Sequence, residues 1–316
     1  MNIKPHHIQK KPLHEVFGLE KNADTLNGRG EPIPVSTFAV SPELTQYQRA
    51  VDPDHVWHTE DLKNMLLALE TGMPLLAFGH KGTGKTTDLL QIAARTGRPC
   101  IRVQHTGNTE EAHVLGQWIV KGGDLDFQLG FLGIAMQQGM LYIADEYDFA
   151  RPEVLAVYQP VMEGEPLVIK DAPPHLRVIK PAPGFAFAAT GNTNGTGDAT
   201  GLYQGTTVQN AANYDRFGIA IKKDYLPQRH EIAAIVKHTG IAEKEAEKLV
   251  KFATEIRTLF GAGKLSDTIS TRALLNIANV GLRRAKMRLG IQLCYSNKLN
   301  AVDAQAIEGV AQRLYG

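Results

Sequence analysis

The stretch LAFGHKGTGKTTDLLQIAARTG, residues 76–97, constrains the fold of this chain more than any other. An apolar run, PLLAF, gives way to a loop matching G-x-x-x-x-G-K-[ST]. Gly79, Gly84, Lys85 and Thr86 hold its fixed positions, and Gly82 is a further glycine. Backbone N–H groups can wrap closely spaced negative charge only where Cβ atoms are absent, which is what such glycines allow. Gly79, His80, Lys81, Gly82, Thr83, Gly84, Lys85, Thr86 and Thr87 are therefore expected to cradle the polyphosphate of ATP. Lys85 would reach the β- and γ-phosphates, and the Thr86 hydroxyl would take one position around Mg²⁺. The apolar run reads as a short buried strand and residues 86–95 as a helix, whose positive N-terminal end would point at the phosphates. Taken alone, the same letters also describe a chance glycine turn ahead of a helix.

Hydrolysis needs a second carboxylate, and MLYIADEYD (residues 140–148) offers one. Asp145, at the carboxyl end of an apolar strand, can hold the Mg²⁺ shell, while Glu146 beside it can polarise the attacking water. By itself such a pair is more simply a helix start; the glycine loop upstream turns the reading toward chemistry. A further buried strand in FAFAATGNTNG (185–195) ends at Asn192, whose amide could orient water between Glu146 and the γ-phosphate. NYDRFGIAI places Arg216 just before a strand, and ISTRALLNIA places Arg272 at the start of a helix. Either arginine could be an ordinary ion-pair partner; downstream of a complete phosphate-loop set, both are candidates for γ-phosphate contacts.

The 316 residues fall into three parts. Residues 1–50 are polar with weak periodicity, and only LHEVFGLE (13–20) has the apolar spacing of a docking segment. Residues 51–226 alternate strands and helices, the pattern of a parallel sheet covered on both faces, with strands at 75–78, 100–103, 141–144, 185–189 and 219–221. From 227 to 316 the strands stop. Helical spacing runs over 231–238, 243–260, 271–288 and 301–314, a separate helical domain. The expected class is α/β: a P-loop NTPase αβα sandwich with a C-terminal α-helical lid.

Composition removes several other functions. Lys+Arg number 34 against 33 Asp+Glu, so bulk charge argues for neither nucleic acid nor an anionic membrane. No apolar run approaches the roughly 18 residues of a membrane span, and MNIKPHHIQKKP has no apolar stretch behind its basic residues. Cys100 and Cys294, distant in sequence, suit a reducing cytoplasm better than a disulfide framework. The eleven histidines have no paired-ligand spacing, so no transition-metal site is expected.

EVFGLE, GHKGTGKTT, ADEYDFARPEV and ATGNTNGTGDATGLYQGTTVQNAANYDRF together resemble the AAA+ ATPases of the MoxR branch, and within it the ATPase subunits of aerobic cobaltochelatases. The resemblance implies a hexameric ring of like subunits with ATP held between neighbours. It makes Asn192 the sensor 1 residue, Arg272 sensor 2, and Arg216 the arginine finger given to the next subunit. It also makes LGQWIVKGGDLDFQLGFLG (115–133) a helix-2 insert, a hairpin turning at Gly122-Gly123, and PLVIKDAPPHLRVIKPAPG (166–184) the hairpin before sensor 1. Both hairpins would face the ring's pore or a partner, though two plain surface hairpins would read alike. As a chelatase motor, the chain would work with a von Willebrand A domain subunit and a large chelatase subunit. The alternatives are a MoxR-type remodelling ATPase with a von Willebrand A partner outside cobalamin synthesis, and a nucleic-acid motor. Lys170, Arg177 and Lys180 favour the last of these, while the near-zero net charge weighs against it. An inactive nucleotide-dependent scaffold fits poorly with Lys85, Asp145, Glu146, Asn192 and Arg216 all present.

Overall fold

The computed structural model describes residues 6–198 and 201–316. Residues 1–5 of the N-terminal segment, and Ala199 and Thr200 within the ATGNTNGTGDATG run, lie outside the described residues. The chain divides into two compact units. The first comprises the described residues up to Asp52, then Thr59–Gly79 and Gly84–Lys223; the second comprises Pro53–His58, His80–Thr83 and Asp224–Gly316.

In the first unit β1 (His7–Pro12) pairs antiparallel with β2 (Pro34–Ala39), and α1 (Leu13–Phe17) follows β1 directly. Leu13 and Phe17, one helical turn apart, are both buried, so the apolar spacing of LHEVFGLE seals α1 onto this unit. The β1–β2 pairing is a finding that the polar composition of residues 1–50 did not announce. Next come α2 (Thr59–Thr71), β3 (Leu75–Phe78), the glycine loop, α3 (Lys85–Thr96), β4 (Cys100–Gln104) and α4 (Glu111–Leu115). β5 (Gly116–Lys121) and β6 (Asp124–Leu129) form the first hairpin, followed by α5 (Phe131–Gln137) and β7 (Leu141–Asp145). The short helices α6 (Pro152–Leu155) and α7 (Gln159–Met162) lead to a second hairpin, β8 (Leu167–Val168) with β9 (Val178–Ile179). β10 (Ala186–Gly191), α8 (Ala211–Asp215) and β11 (Ile219–Lys222) complete the unit.

Five strands form one parallel sheet in the order β11-β3-β10-β7-β4. Its inner strands LLAF, LYIAD and AFAATG are buried along nearly their whole length, as parallel strands covered on both faces must be. The layering is the αβα sandwich of a P-loop NTPase. Against the sheet, Tyr142, Tyr158, Phe187 and Phe217 build an aromatic core. The buried hydroxyls there are satisfied in series: Tyr142 Oη lies 2.9 Å from Tyr158 Oη, which lies 2.8 Å from His105 Nε2. Burial lowers the His105 pKa, against the pull of its backbone contacts with Asp145 and Val103.

Each hairpin leaves an apolar cross-strand pair in solvent: Val120 opposite Leu125 on the first, Val168 opposite Val178 on the second. The first turns at Gly122 and Gly123, both at positive φ, the geometry of a two-residue turn that matches strand twist. Trp118 Nε1 of the first hairpin donates to the Asp171 carbonyl beside the second at 2.9 Å.

The second unit is helical: α9 (Gln228–Thr239), α10 (Glu243–Gly261), α11 (Thr271–Arg284), α12 (Met287–Cys294) and α13 (Ala301–Tyr315). Its core includes Ile235, Leu249, Phe252, Ile256, Leu274, Ile277, Ile291 and Ile307. The expected single helix over 271–288 is two helices. Ala285 sits at φ 51°, in the left-handed region, and closes α11. The break has a packing cause. A Cβ on Gly281 would lie 2.7 Å from Met287 Cε, and one on Gly290 would lie 2.6 Å from the Ile277 carbonyl oxygen, so two glycines let α11 and α12 meet closely. Glu231 of α9 is fully buried and accepts a two-pronged pair from Arg257 of α10, at 2.7 and 2.8 Å.

Candidate functional site

Parallel register brings the carboxyl ends of the strands to one edge of the sheet, where open α/β sheets bind ligands. Gln104 pairs with Asp145 across β4 and β7, Ala144 with Ala189 across β7 and β10, and Gly191 with Phe78 across β10 and β3. Gly79, Asn192, Asp145, Glu146 and Gln104 are therefore neighbours in space although up to 113 positions separate them in sequence.

Lys85 opens α3 and is buried; its Nζ donates to the Gly79 carbonyl at 2.6 Å and to Asn192 Oδ1 at 3.2 Å. Thr86, the next residue, donates its hydroxyl to Asp145 Oδ1 at 2.5 Å. The Thr190 hydroxyl donates to the same oxygen and accepts from the Glu146 N–H at 3.2 Å. On the other oxygen of Asp145, Arg102 Nε donates at 2.7 Å to Oδ2, and Nη2 of the same guanidinium also meets it. Glu146 sits at φ 53°, ψ 44°, a left-handed conformation uncommon for any residue but glycine. Its Oε2 accepts from the Gln104 amide at 2.8 Å. Asp148, fully buried, supports the loop after β10: its Oδ2 accepts from the N–H groups of Asn192 and Thr193, at 2.9 and 2.8 Å. Burial raises the Asp148 pKa, against the pull of those bonds.

The glycines of the loop are there for space. A Cβ on Gly79 would stand 2.1 Å from the carbonyl oxygen of Lys223, and Gly79 (φ 142°), Gly82 (φ 73°) and Gly84 (φ 87°) all hold positive φ. Lys223 is itself buried and donates to Asp61 at 2.5 Å and to Asp88 at 2.8 Å, Asp88 lying one turn into α3. The loop tip His80–Thr83 groups with the second unit. There the Lys81 ammonium pairs with Asp267, the Thr83 hydroxyl donates to the His80 carbonyl at 2.9 Å, and a Cβ on Gly82 would meet Ser270 at 2.3 Å. Thr87 is exposed on α3.

Two candidates remain, Arg216 and Arg272. Arg216 caps the carboxyl end of α8; its Nε donates to Glu163 at 2.6 Å and its Nη1 to the Ala212 carbonyl at 2.5 Å. Arg272 belongs to the second unit and is exposed in the first turn of α11. Sequence reasoning passed over Arg102, Gln104, Asp148, Thr190 and Lys223. Arg102 did carry a signal, a lone charge inside the apolar strand CIRVQ.

The chemistry of the donor set fits a magnesium nucleotide. The Thr86 hydroxyl and the Asp145 carboxylate are hard oxygen donors already within 2.5 Å of each other, the class that Mg²⁺ takes from protein. Lys85 opens α3 directly after Gly84, so the N-terminal end of that helix has the backbone arrangement that suits phosphate.

The sequence profile described as "AAA domain (dynein-related subfamily)" matches residues 74–217, and that described as "CbbQ/NirQ/NorQ C-terminal" matches residues 231–311. The aerobic cobaltochelatase subunit CobS of Sinorhizobium sp is 32% identical over 280 residues, covering 85% of this chain and 83% of that protein. The chain belongs to the AAA+ ATPases of the MoxR branch. Protein NorQ of Paracoccus denitrificans (strain Pd 1222) is 27% identical to this AAA+ protein over 267 residues, covering 84% of this chain and 94% of that one. The gas vesicle ATPase GvpN of Ancylobacter aquaticus is 28% identical over 230 residues, 67% of this chain and 61% of its own. This AAA+ ATPase is thus an ATP-binding protein of the CobS-like kind, and its described helices include none long and apolar enough to cross a membrane.

Proposed function

We propose that this AAA+ ATPase hydrolyses Mg²⁺-bound ATP at the interfaces of a hexameric ring and drives a cobaltochelatase-type metal-insertion complex. The observation that carries the hydrolytic part is the convergence of Lys85, Thr86, Asp145, Glu146 and Asn192 at one sheet edge. Similarity to CobS along 85% of the chain supports the chelatase part. In this reading residues 51–226 are the nucleotide-binding core, 227–316 the lid, and 1–50 a docking segment.

Lys85 exchanges its bond to the Gly79 carbonyl for the β- and γ-phosphate oxygens, and the N–H groups of residues 79–87 wrap the same charge. Thr86 and Asp145 would hold Mg²⁺, which would supply positive charge against the charge that develops on the phosphate in the transition state. Glu146 takes a proton from the attacking water once its carboxylate leaves the Gln104 amide. Asn192, tied to Lys85 on one side and held by Asp148 at its backbone, orients that water. Arg272 acts as sensor 2. Arg216 reaches the neighbouring subunit's γ-phosphate by leaving Glu163.

A cytoplasmic assembly with a von Willebrand A domain subunit and a large chelatase subunit completes this reading. A remodelling ATPase with a von Willebrand A partner outside cobalamin synthesis is the second reading, favoured by the NorQ-type match over residues 231–311 and by NorQ itself. Lys85→Ala tests the shared core: titration with a fluorescent ATP analogue should show binding lost, and unchanged affinity would remove the phosphate-loop assignment. Co-purification of the ring with a large chelatase subunit, against a von Willebrand A protein alone, separates the two readings.

A further inference from the structure

Asp145 is held from two sides that have different uses. Thr86 and Thr190 bond Oδ1, leaving Oδ2 facing Arg102. The Asp145 side chain is 3% exposed and that of Arg102 is 40% exposed, so a buried anion is closed from the solvent side by a cation that can leave. A carboxylate at this depth is costly to keep charged without a counter-charge. Arg102 reaches it from β4, the strand next to β7, and the neighbouring Gln104 occupies the Glu146 carboxylate in the same way.

We propose that Arg102 is an exchangeable counter-ion for Asp145, with which metal competes for the carboxylate's charge. The proposal rests on the Mg²⁺-ATP reading above and deepens it, because it assigns to Arg102 control over the metal requirement of nucleotide binding. A guanidinium at Oδ2 and Mg²⁺ beside Thr86 would both draw on the single negative charge of Asp145, so each weakens what the carboxylate offers the other. With Arg102 in place, nucleotide without metal meets a neutralised site. Without Arg102, nucleotide without metal meets the bare charge of Asp145, and metal meets no competitor. Arg102 is thus a positioning residue that narrows the difference between metal-free and metal-loaded nucleotide affinity.

The test uses the full chain and a fluorescent ATP analogue titrated in EDTA and then across a range of Mg²⁺ concentrations. In Arg102→Gln the Mg²⁺ concentration at half-maximal binding should fall about tenfold, the factor that 1.4 kcal/mol of lost competition represents, while affinity in EDTA should weaken. Arg102→Lys, which keeps the charge but not the fork, should lie between wild type and Arg102→Gln. On an Asp145→Asn background Arg102→Gln should shift nothing, a result that a general folding defect would not give. An unchanged or raised Mg²⁺ requirement in Arg102→Gln, or a full shift that persists with Asp145→Asn, would overturn the proposal. Wild-type protein that fails to bind the analogue at any Mg²⁺ concentration would instead overturn the nucleotide reading. Mn²⁺ titration without nucleotide, followed by electron paramagnetic resonance, then still decides on Arg102: tighter Mn²⁺ binding in Arg102→Gln supports it, and equal binding refutes it.

Discussion

Replacing Lys223 by methionine is a direct probe of how the phosphate loop is braced. The Lys223 side chain is 1% exposed and its ammonium joins Asp61 of α2 to Asp88 of α3, whose side chains are 18% and 12% exposed. Its backbone N–H donates to the Phe78 carbonyl at 2.7 Å, and its own carbonyl abuts Gly79. Methionine fills nearly the same volume but leaves the buried Asp88 and the half-buried Asp61 without the ammonium between them. Removing one partner from a buried ionic group costs about 3–5 kcal/mol, because the stranded charge keeps its desolvation penalty. Against the roughly 5–15 kcal/mol that holds a domain folded, this is about a fifth of the margin or more.

The assay is urea unfolding of the full chain by circular dichroism, with Lys223→Met, Asp88→Asn and the double variant forming a cycle. The double variant should recover about 1–3 kcal/mol over Lys223→Met, since one of the stranded charges is gone. Burial alone would lower the Lys223 pKa, but Asp88 and Asp61 outweigh it and raise it above 10.5. A raised folded-state pKa stabilises fully below the unfolded value and stops doing so as pH rises through the folded one. The deficit of Lys223→Met should therefore be constant from pH 6 to about 9 and shrink only in alkali. A loss below about 1 kcal/mol, the range of exposed pairs, or a double variant no more stable than Lys223→Met, would refute this account of the triad.

Glu146→Gln should bind the ATP analogue as wild type does and lose turnover by about 10²- to 10⁴-fold, because the amide keeps the shape and the Gln104 contact but not the basic oxygen. Steady-state phosphate release near the wild-type rate would show that Glu146 only shapes the turn. Arg216→Ala should bind ATP and hydrolyse it about 10³-fold more slowly. Mixing it with Lys85→Ala subunits should restore part of the activity, and mixed rings that stay inactive would leave Arg216 as the partner of Glu163 alone. Replacing the Gly122-Gly123 turn should spare basal hydrolysis and abolish stimulation by a partner complex; loss of both would mark the first hairpin as part of the fold.

The three inner sheet strands were legible because buried parallel strands are short apolar runs, and all five expectations fell within one or two residues of the observed element. The helices around Arg284 and Met287 were not separable, because nothing in the periodicity marks a break that Ala285 makes without glycine or proline. β1 and β2 were missed for a related reason: HIQKKP is largely exposed, and PVSTFA buries adjacent residues, Val35 and Ser36, so neither shows a clean alternation to read. Lys85, Thr86 and Asp145 could be named from motif spacing. What surrounds Asp145 could not, because Arg102, Thr190 and Thr86 are brought to it by sheet register, and register is set by strands far apart in the chain.

Glu146 sets local backbone preference against chemistry. Its left-handed backbone costs of order 1–3 kcal/mol for a residue bearing a side chain, and glycine would hold the same turn with little strain. A search of this chain for heat-resistant variants should therefore find Glu146→Gly early, as a sturdier protein with no base to offer water. Stability and turnover select opposite residues at this one position. On the proposed mechanism a glutamate there marks a chain kept for what it does to its ligand, and its replacement by glycine or asparagine in a relative would mark a fold that has stopped turning over.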